Sequence, residues 1–264
     1  MKIGFIGLGN MAKAMISGML EKGIAGPKEI YGSARTEATG RAVKNQYGIQ
    51  ILEENAQVAA EAEILILAVK PQMFDEVIPQ IRDKVGDHTL IISIAAGKTM
   101  AQIEEGFGKP LKLVRCMPNT PAMIGEGCSG VCRNDRVTDE EMAKCMELLG
   151  SFGVAEEVPE RLMDAVVGVS GSSPAFVFMF IEALADGAVK AGMPRSQAYR
   201  FAAQTVQGSA RLLLETGKHP GELKDMVCSP GGTTIEGVQT LEEMGLRSAV
   251  MNAVEACVEK SRNM

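Results

Sequence analysis

Short apolar runs alternate with amphipathic segments in the first part of the chain, up to about Val158. The runs predict six strands, at residues 2–6, 29–32, 49–52, 64–69, 89–93 and 112–116. Between them, residues 11–21 and 71–85 place apolar side chains at helical spacing. Because the run at 64–69 is apolar at every position, it is typical of a parallel strand covered on both faces. The alternation predicts an α/β domain with a Rossmann-type, doubly wound parallel sheet.

From about Val158 the pattern becomes helical, and no convincing strand pattern follows. Pro159 suits the first residue of a helix, where a missing N–H costs nothing. Four long helices are predicted after it, at residues 174–191, 195–215, 234–244 and 247–260. We therefore expect two domains, an α/β domain over residues 1–159 and an all-α domain over residues 160–264.

The predicted helices are apolar on several faces, which one small domain cannot bury alone. Exchange of helices with a second copy of the chain would cover these faces. We expect a homodimer formed through the C-terminal helices.

Composition narrows the class of protein. The 264 residues carry a net charge of -6 and contain no basic run that could neutralise a series of phosphates, so we expect no nucleic acid as partner. The apolar stretch at residues 175–184 is too short to span a bilayer, and no signal peptide pattern opens the chain. We expect no membrane partner and a cytoplasmic location.

Six cysteines lie scattered without a Cys-x-x-Cys pair, and the two histidines, His88 and His219, are far apart. Metal sites built from these side chains use closely spaced ligands. We expect no metal, and thiols that are reduced and buried.

A glycine-rich turn follows the first predicted strand directly and opens a helix. Gly7, Leu8, Gly9, Asn10 and Met11 precede Ala12, giving the Gly-x-Gly-x-x-Ala form of the dinucleotide fingerprint. The first glycine allows a tight turn, and the second lets the backbone approach a pyrophosphate at the helix N-terminus. This turn predicts dinucleotide binding.

The end of the second predicted strand indicates which dinucleotide is bound. NAD-binding sites place a carboxylate there for the ribose hydroxyls, but this chain has none before Glu37. It has the hydroxyls of Ser33 and Thr36 and the guanidinium of Arg35 instead, which suit a 2′-phosphate. NADPH is expected as cofactor, with NADH accepted less well.

Several stretches of the chain resemble signature sequences of the pyrroline-5-carboxylate reductase family. They are Ala-Val-Lys-Pro-Gln at 68–72, Ala-Ala-Gly at 95–97, Arg-Cys-Met-Pro-Asn-Thr-Pro at 115–121, Val-Ser-Gly-Ser-Ser-Pro-Ala at 169–175 and Asp-Met-Val-Cys-Ser-Pro-Gly-Gly-Thr-Thr at 225–234. The resemblance extends over nearly the whole chain. One departure is Ser173, where the family usually has a glycine; a serine restricts the backbone more, which bears on the shape of this loop.

The resemblance implies reduction of Δ1-pyrroline-5-carboxylate to L-proline by hydride transfer from NADPH, the last step of proline biosynthesis, with some relatives forming rings of dimers. It also implies positions for the cofactor. Pyrophosphate would lie at Gly7, Leu8, Gly9, Asn10 and Met11, the 2′-phosphate at Ser33 and Arg35, the adenosine end near Asn55, the ribose path along Ala68, Val69, Lys70 and Pro71, and the nicotinamide beside Ala95, Gly97 and Asn119.

The candidate substrate site lies in the helical part. Glycines after a proline expose backbone N–H groups, and a helix N-terminus favours anions. We hypothesise that Ser229, Gly231, Gly232 and Thr233 hold the substrate carboxylate. Thr234 is the catalytic candidate, in contact with the ring nitrogen, and Ser172 is a weaker candidate that equally suits a helix cap.

Three other functions share some of these features. A β-hydroxyacid dehydrogenase has a similar organisation but needs a lysine early in its helical domain, and this chain has none between Lys144 and Lys190. A reductase of a related, six-membered cyclic imine would differ by one methylene, which pockets discriminate weakly. A non-catalytic NADPH-binding regulator would be compatible with the fold but would leave the Pro-Gly-Gly-Thr-Thr turn without a purpose.

Overall fold

The computed structural model describes residues 1–263. One eight-stranded sheet is built from β1 (Ile3–Ile6), β2 (Ile30–Ser33), β3 (Gln50–Ile51), β4 (Ile64–Leu67), β5 (Leu90–Ser93), β6 (Lys112–Met117), β7 (Gly127–Arg133) and β8 (Gly153–Glu157). The helices beside it are α1 (Asn10–Glu21), α2 (Glu37–Tyr47), α3 (Asn55–Glu61), α4 (Phe74–Ile81), α5 (Met100–Phe107) and α6 (Asp139–Leu149).

The strand order is β3-β2-β1-β4-β5-β6-β7-β8, and the first six strands are parallel. Strands β2 and β3 are added on one side of β1, and β4, β5 and β6 on the other side. The carboxyl ends of β1 and β4 therefore border a crevice at this switch point of the strand order. Every residue of β1, β4 and β5 is buried, as expected for strands covered on both faces. The expectation of a Rossmann-type parallel sheet is confirmed.

Two strands were absent from the sequence-based prediction. β7 runs antiparallel to β6, because the connection between Met117 and Gly127 is too short for the crossover that a parallel pair needs. α6 then returns the chain to β8, which pairs parallel with β7. β7 contains two glycines, and β8 has exposed and half-buried residues, so neither shows the continuous apolar run that marked the other strands.

The second half is helical, in agreement with the pattern. Its elements are α7 (Met163–Val166), a π-helix (Val167–Ser172), α8 (Ser173–Lys190), α9 (Arg195–Thr216), α10 (Pro220–Val227), α11 (Thr233–Glu243) and α12 (Leu246–Arg262). The predicted helix at 71–85 is shorter than expected: it is a 3₁₀ turn, Pro71–Met73, followed by α4.

The chain divides into two compact units. The sheet unit comprises Met1–Ser172 and the chain from Ala256 onward, and the helical unit comprises Ser173–Glu255. Helix α12 therefore begins in the helical unit and ends in the sheet unit. There Ser261 Oγ donates a hydrogen bond of 2.6 Å to the carboxylate of Asp164.

Candidate active site

The turn between β1 and α1 has the geometry that its glycines predict. Gly7 has a φ of 95°, and a Cβ on it would lie 2.8 Å from the carbonyl oxygen of Ala68. Gly9 is the N-cap of α1, with no side chain capping the helix and open space where its Cβ would be. The N–H groups in the first turn of α1 therefore face open space, where a ligand can approach the backbone closely.

A cleft of about 840 Å³ opens at this turn. Eight of the predicted cofactor residues line it, namely Gly7, Leu8, Gly9, Ser33, Arg35, Asn55, Val69 and Lys70. Seven others do not appear in its lining: Asn10, Met11, Ala68, Pro71, Ala95, Gly97 and Asn119. The volume is in the range of cofactor and ligand sites in general.

The segment after β2 lines the cleft with Arg35, Thr36 and Thr39 and no carboxylate, whereas later segments contribute Glu53, Glu54 and Glu76 to the lining. Arg35 is exposed, and among the described residues its guanidinium forms no ion pair. Glu37, the nearest carboxylate in sequence, is paired with Arg41 at 2.8 Å. Thr36 caps α2 by accepting a hydrogen bond from the N–H of Thr39. A guanidinium and a helix N-terminus on one wall suit a phosphate better than a ribose hydroxyl.

Ser33 lies differently from the expectation of an open phosphate ligand. It is only 2% exposed, and its hydroxyl donates to Oδ1 of Asn55 at 2.6 Å. Asn55 in turn donates from Nδ2 to Oε1 of Gln80 at 2.7 Å. Thr39 and Gln80 also line the cleft and were not predicted from the sequence. The spacing Thr36-x-x-Thr39 at a helix start was a readable signal for Thr39, whereas Gln80 had none.

The loop after β5 is held from two sides. Gly97 has a φ of 73°, and Thr99 caps α5 in a capping box with Gln102. The carboxylate of Glu160 accepts from the N–H of Met100 at 2.8 Å and pairs with Arg115 at 2.6 Å. This arrangement fixes the segment that contains Ala95 and Gly97.

Asn119 is used inside the protein. It is 8% exposed; its Nδ2 donates to the carbonyl of Ser170 at 3.1 Å, and its Oδ1 accepts from the N–H of Cys128 at 2.8 Å. Asn119 thus ties the loop after β6 to the π-helix, a helix type that is frequent at functional sites.

The π-helix and the start of α8 show what Ser172 and Ser173 do to the backbone. Ser172 ends the π-helix and Ser173 begins α8. Among the described residues no non-glycine has a positive φ, so Ser173 occupies a conformation open to any residue. The serine therefore imposes no backbone strain here in place of the family's glycine.

In the helical unit, the turn before α11 has the predicted form. The N–H of Gly232 bonds to the carbonyl of Ser229 at 3.0 Å, and Gly231 has a φ of 66°. With Pro230 this is a type II turn, which requires a positive φ at its third residue. Gly232 is the N-cap of α11 and no side chain caps it, so the first N–H groups of α11 remain available to an anion. Thr234 is half-buried in that first helical turn.

Only part of the cysteine prediction is correct. Cys116, Cys132 and Cys145 are buried, but Cys128 is exposed. Burial raises the pKa of Cys116 and Cys145 to about 12 and that of Cys132 to about 11. The described residues contain no group of three or more His, Cys, Asp or Glu side chains that could hold a metal ion.

The helical unit exposes large apolar side chains, among them Phe178, Met179 and Phe201, each more than 60% exposed. Within residues 1–263, one helical stretch, Glu160–Lys190, is long and apolar enough to cross a membrane, on length and composition alone. A single such stretch is weak evidence for a membrane, and its apolar surface equally suits contact with another protein chain.

Comparison with known proteins indicates that the apolar surface of the helical unit contacts a second copy of the chain. Residues 160–264 match the family model for pyrroline-5-carboxylate reductase dimerisation, and residues 2–97 match that for coenzyme F420-dependent NADP oxidoreductases. The pyrroline-5-carboxylate reductase of Escherichia coli K12 is 49% identical over 100% of this chain and 98% of its own.

Solved structures agree with the sequence relatives. A pyrroline-5-carboxylate reductase from Coxiella burnetii superposes with a TM-score of 0.93 at 32% identity, covering 99% of this chain and 97% of the other. The Plasmodium falciparum pyrroline carboxylate reductase with NADP bound has a TM-score of 0.89, also at 32% identity, with 99% and 97% covered.

The fold and the cleft define an oxidoreductase that uses a nicotinamide dinucleotide and assembles through a helical dimerisation domain. Within that class, the chain belongs to the pyrroline-5-carboxylate reductase family, whose members convert Δ1-pyrroline-5-carboxylate to proline. The predictions of family, enzyme class, NADP cofactor and homo-oligomer are confirmed.

Proposed function

We propose that this chain reduces Δ1-pyrroline-5-carboxylate to L-proline with NADPH as reductant. The observation that carries the proposal is the 49% identity over the full chain with a reductase of that name. It is supported by the crevice at the switch point of the sheet, which combines a glycine turn with the guanidinium of Arg35.

In the sheet unit, separate groups of the chain suit the pyrophosphate and the 2′-phosphate of the dinucleotide. The turn Gly7, Leu8, Gly9, Asn10 and Met11 offers N–H groups to the pyrophosphate, and Arg35 with Ser33 serves the 2′-phosphate. Asn55 borders the adenosine end. Ala68, Val69, Lys70 and Pro71 follow the ribose, and Ala95, Gly97 and Asn119 shape the nicotinamide end. Bound there, NADPH supplies the hydride.

In the helical unit, the turn before α11 receives the substrate carboxylate. Ser229, Gly231, Gly232 and Thr233 contribute a hydroxyl, an unhindered backbone and N–H groups at a helix start. No hydrogen bond to the Thr234 hydroxyl is found among the described residues, so Thr234 Oγ1 is available to donate a hydrogen bond to the ring nitrogen. Because cyclic imines are readily protonated near neutral pH, the imine can bring its own proton from solvent. The Thr234 hydroxyl then keeps its proton and donates a hydrogen bond to the nitrogen lone pair that forms as the hydride reaches the adjacent carbon. Ser172 stands as a further substrate contact.

The organisation of the chain follows the same proposal. Residues 1–159 serve the cofactor, and residues 160–264 serve dimerisation and the substrate, as the extent of the dimerisation match supports. We propose a homodimer through the C-terminal helices, further assembly into a ring of dimers, and a cytoplasmic location. Light scattering during size-exclusion chromatography measures the copy number.

Initial rates of cofactor oxidation with Δ1-pyrroline-5-carboxylate, measured in parallel with NADPH and NADH, test the function. We expect turnover with both and a higher kcat/KM with NADPH. Turnover with NADH alone would keep the reaction and refute the 2′-phosphate site. A folded, oligomeric protein with no turnover on this substrate would refute the proposal; the six-membered imine carboxylate, assayed alongside, would then identify a related reductase.

A further inference from the structure

Three polar side chains from three separate elements form a continuous hydrogen-bonded chain along the wall of the cofactor cleft. Ser33 ends β2, Asn55 begins α3, and Gln80 lies near the end of α4. The Ser33 hydroxyl donates to Asn55 over 2.6 Å, and the Asn55 amide donates to Gln80 over 2.7 Å. All three residues line the cleft.

The direction of these hydrogen bonds decides what Ser33 can offer to a ligand. A hydroxyl has one proton and two acceptor lone pairs. In the observed direction its proton is committed to Asn55 Oδ1, so towards the cleft Ser33 can only accept a hydrogen bond. A ribose 2′-hydroxyl can donate to it, whereas a phosphate group has strong acceptor oxygens and needs a donor.

The same three side chains can also carry the opposite direction. Rotating a carboxamide by 180° exchanges its oxygen and its NH₂ group with little change of shape. If both amides rotate, Gln80 Nε2 donates to Asn55 Oδ1 and Asn55 Nδ2 donates to Ser33 Oγ. The Ser33 proton is then free to bind a phosphate oxygen.

We call the hydrogen-bonded chain of Ser33, Asn55 and Gln80 the relay. We propose that Gln80 is a positioning residue that sets the direction of the hydrogen bonds in this relay and thereby tunes the choice between NADPH and NADH. A glutamine can serve either direction, because its carboxamide both donates and accepts. The inference rests on the proposed function, specifically on the assignment of Ser33 and Arg35 to the 2′-phosphate.

The decisive variant is Gln80→Glu. A carboxylate accepts only, so it holds Asn55 and Ser33 in the observed direction and leaves Ser33 without a proton for the phosphate. Calorimetric titration of the full chain with NADP⁺ and with NAD⁺, without substrate, measures both dissociation constants. We expect the Kd for NADP⁺ to rise about tenfold or more, the scale of a hydrogen bond to a charged group, and the Kd for NAD⁺ to change much less.

The new negative charge of Gln80→Glu would also repel a phosphate. Two controls separate this repulsion from the effect of the hydrogen-bond direction. Glu76 lies one helical turn before Gln80 and lines the same cleft, so Glu76→Gln measures the effect of one charge on this wall. In a Ser33→Ala background the relay has no terminal hydroxyl. There we expect Gln80→Glu to weaken NADP⁺ binding only by the factor that Glu76→Gln indicates, and that factor to shrink in added salt.

An equal loss of NADP⁺ affinity from Gln80→Glu with and without the Ser33 hydroxyl would overturn the relay. Arg35→Met, titrated in the same way, distinguishes that failure from failure of the cofactor site. If Arg35→Met weakens NADP⁺ binding while Gln80→Glu does not, the site stands and the relay is wrong. If neither variant changes the Kd for NADP⁺, the assignment of the 2′-phosphate site is wrong as well.

Discussion

In the sheet unit every residue of β1, β4 and β5 is buried, whereas in α8 of the helical unit Ala185 alone is buried among 18 residues. The sheet unit has two large apolar clusters, one on each face of its strands. The buried cluster of the helical unit consists of the three alanines Ala185, Ala198 and Ala202. The first unit thus has a core of its own, while the second keeps its large apolar side chains for a second copy of the chain.

The largest effect is expected from Phe178→Asp, which should prevent the helical unit from covering its apolar side chains with a second copy of the chain. Phe178 is 62% exposed in the single chain, and burying an unpaired carboxylate at a subunit contact costs several kcal/mol, enough to abolish dimer formation at micromolar concentrations. Light scattering after size-exclusion chromatography should report a monomer without reductase activity. Val154→Asp is the matched control, because Val154 is 66% exposed on β8 of the sheet unit and should tolerate the charge. A fully dimeric Phe178→Asp variant would place the interface elsewhere.

Thr234→Val tests the division of chemistry between the two units. It keeps the shape of the side chain but removes the hydroxyl that we assign as hydrogen-bond donor to the ring nitrogen, so kcat should fall about 100-fold, the scale of losing one hydrogen-bond donor in the transition state. Thr234→Ser should recover most of the rate. Lys70→Met in the sheet unit should act mainly on the KM for NADPH. Wild-type kcat in Thr234→Val, or a larger loss of kcat in Lys70→Met, would assign the hydrogen bond to the ring nitrogen to another residue.

Two glycines with positive φ sharpen the comparison further. Gly7→Ala places a Cβ 2.8 Å from the Ala68 carbonyl in addition to an unfavourable φ, and should destabilise the fold by about 3 kcal/mol or more. Gly231→Ala meets nothing within 4 Å, so only the backbone conformation opposes it, at about 1–2 kcal/mol. Urea unfolding of each variant measures the difference. Equal losses would show that crowding at the cofactor turn relaxes easily.

The buried thiols of the sheet unit give the smallest effect, and it depends on pH. Unfolding lowers the pKa of Cys116 from about 12 to its ordinary value of 9.0. Between these values the unfolded chain binds fewer protons than the folded one, so stability is retained below pH 9 and decreases as pH rises towards 12. The slope contributed by one such thiol is at most about 1.4 kcal/mol per pH unit.

Urea unfolding between pH 8 and pH 10.5 should show a shallower decrease for Cys116→Ala than for the wild type. Cys128→Ser, which changes an exposed thiol, is the control and should leave the slope unchanged. Parallel slopes for wild type and Cys116→Ala would mean that solvent reaches this thiol in the folded protein.

The sequence predicted most where one local signal decided the structure. The six apolar runs became strands within one or two residues, and Gly7 adopted the positive φ that its turn requires and that favours glycine. β7 was missed because Gly130 sits under the side chain of Val166, a contact between segments that no local pattern reveals. For the same reason Gln80 was not foreseen: it meets Asn55, 25 residues away, only because α3 and α4 pack together.

The path of α12 has a consequence for biosynthesis. This helix completes the sheet unit with residues from Ala256 onward, where Ser261 donates a hydrogen bond to Asp164. A ribosome adds these residues after the strands that they join. The nascent sheet can form early during synthesis, but this contact must wait until Ser261 has emerged from the ribosome.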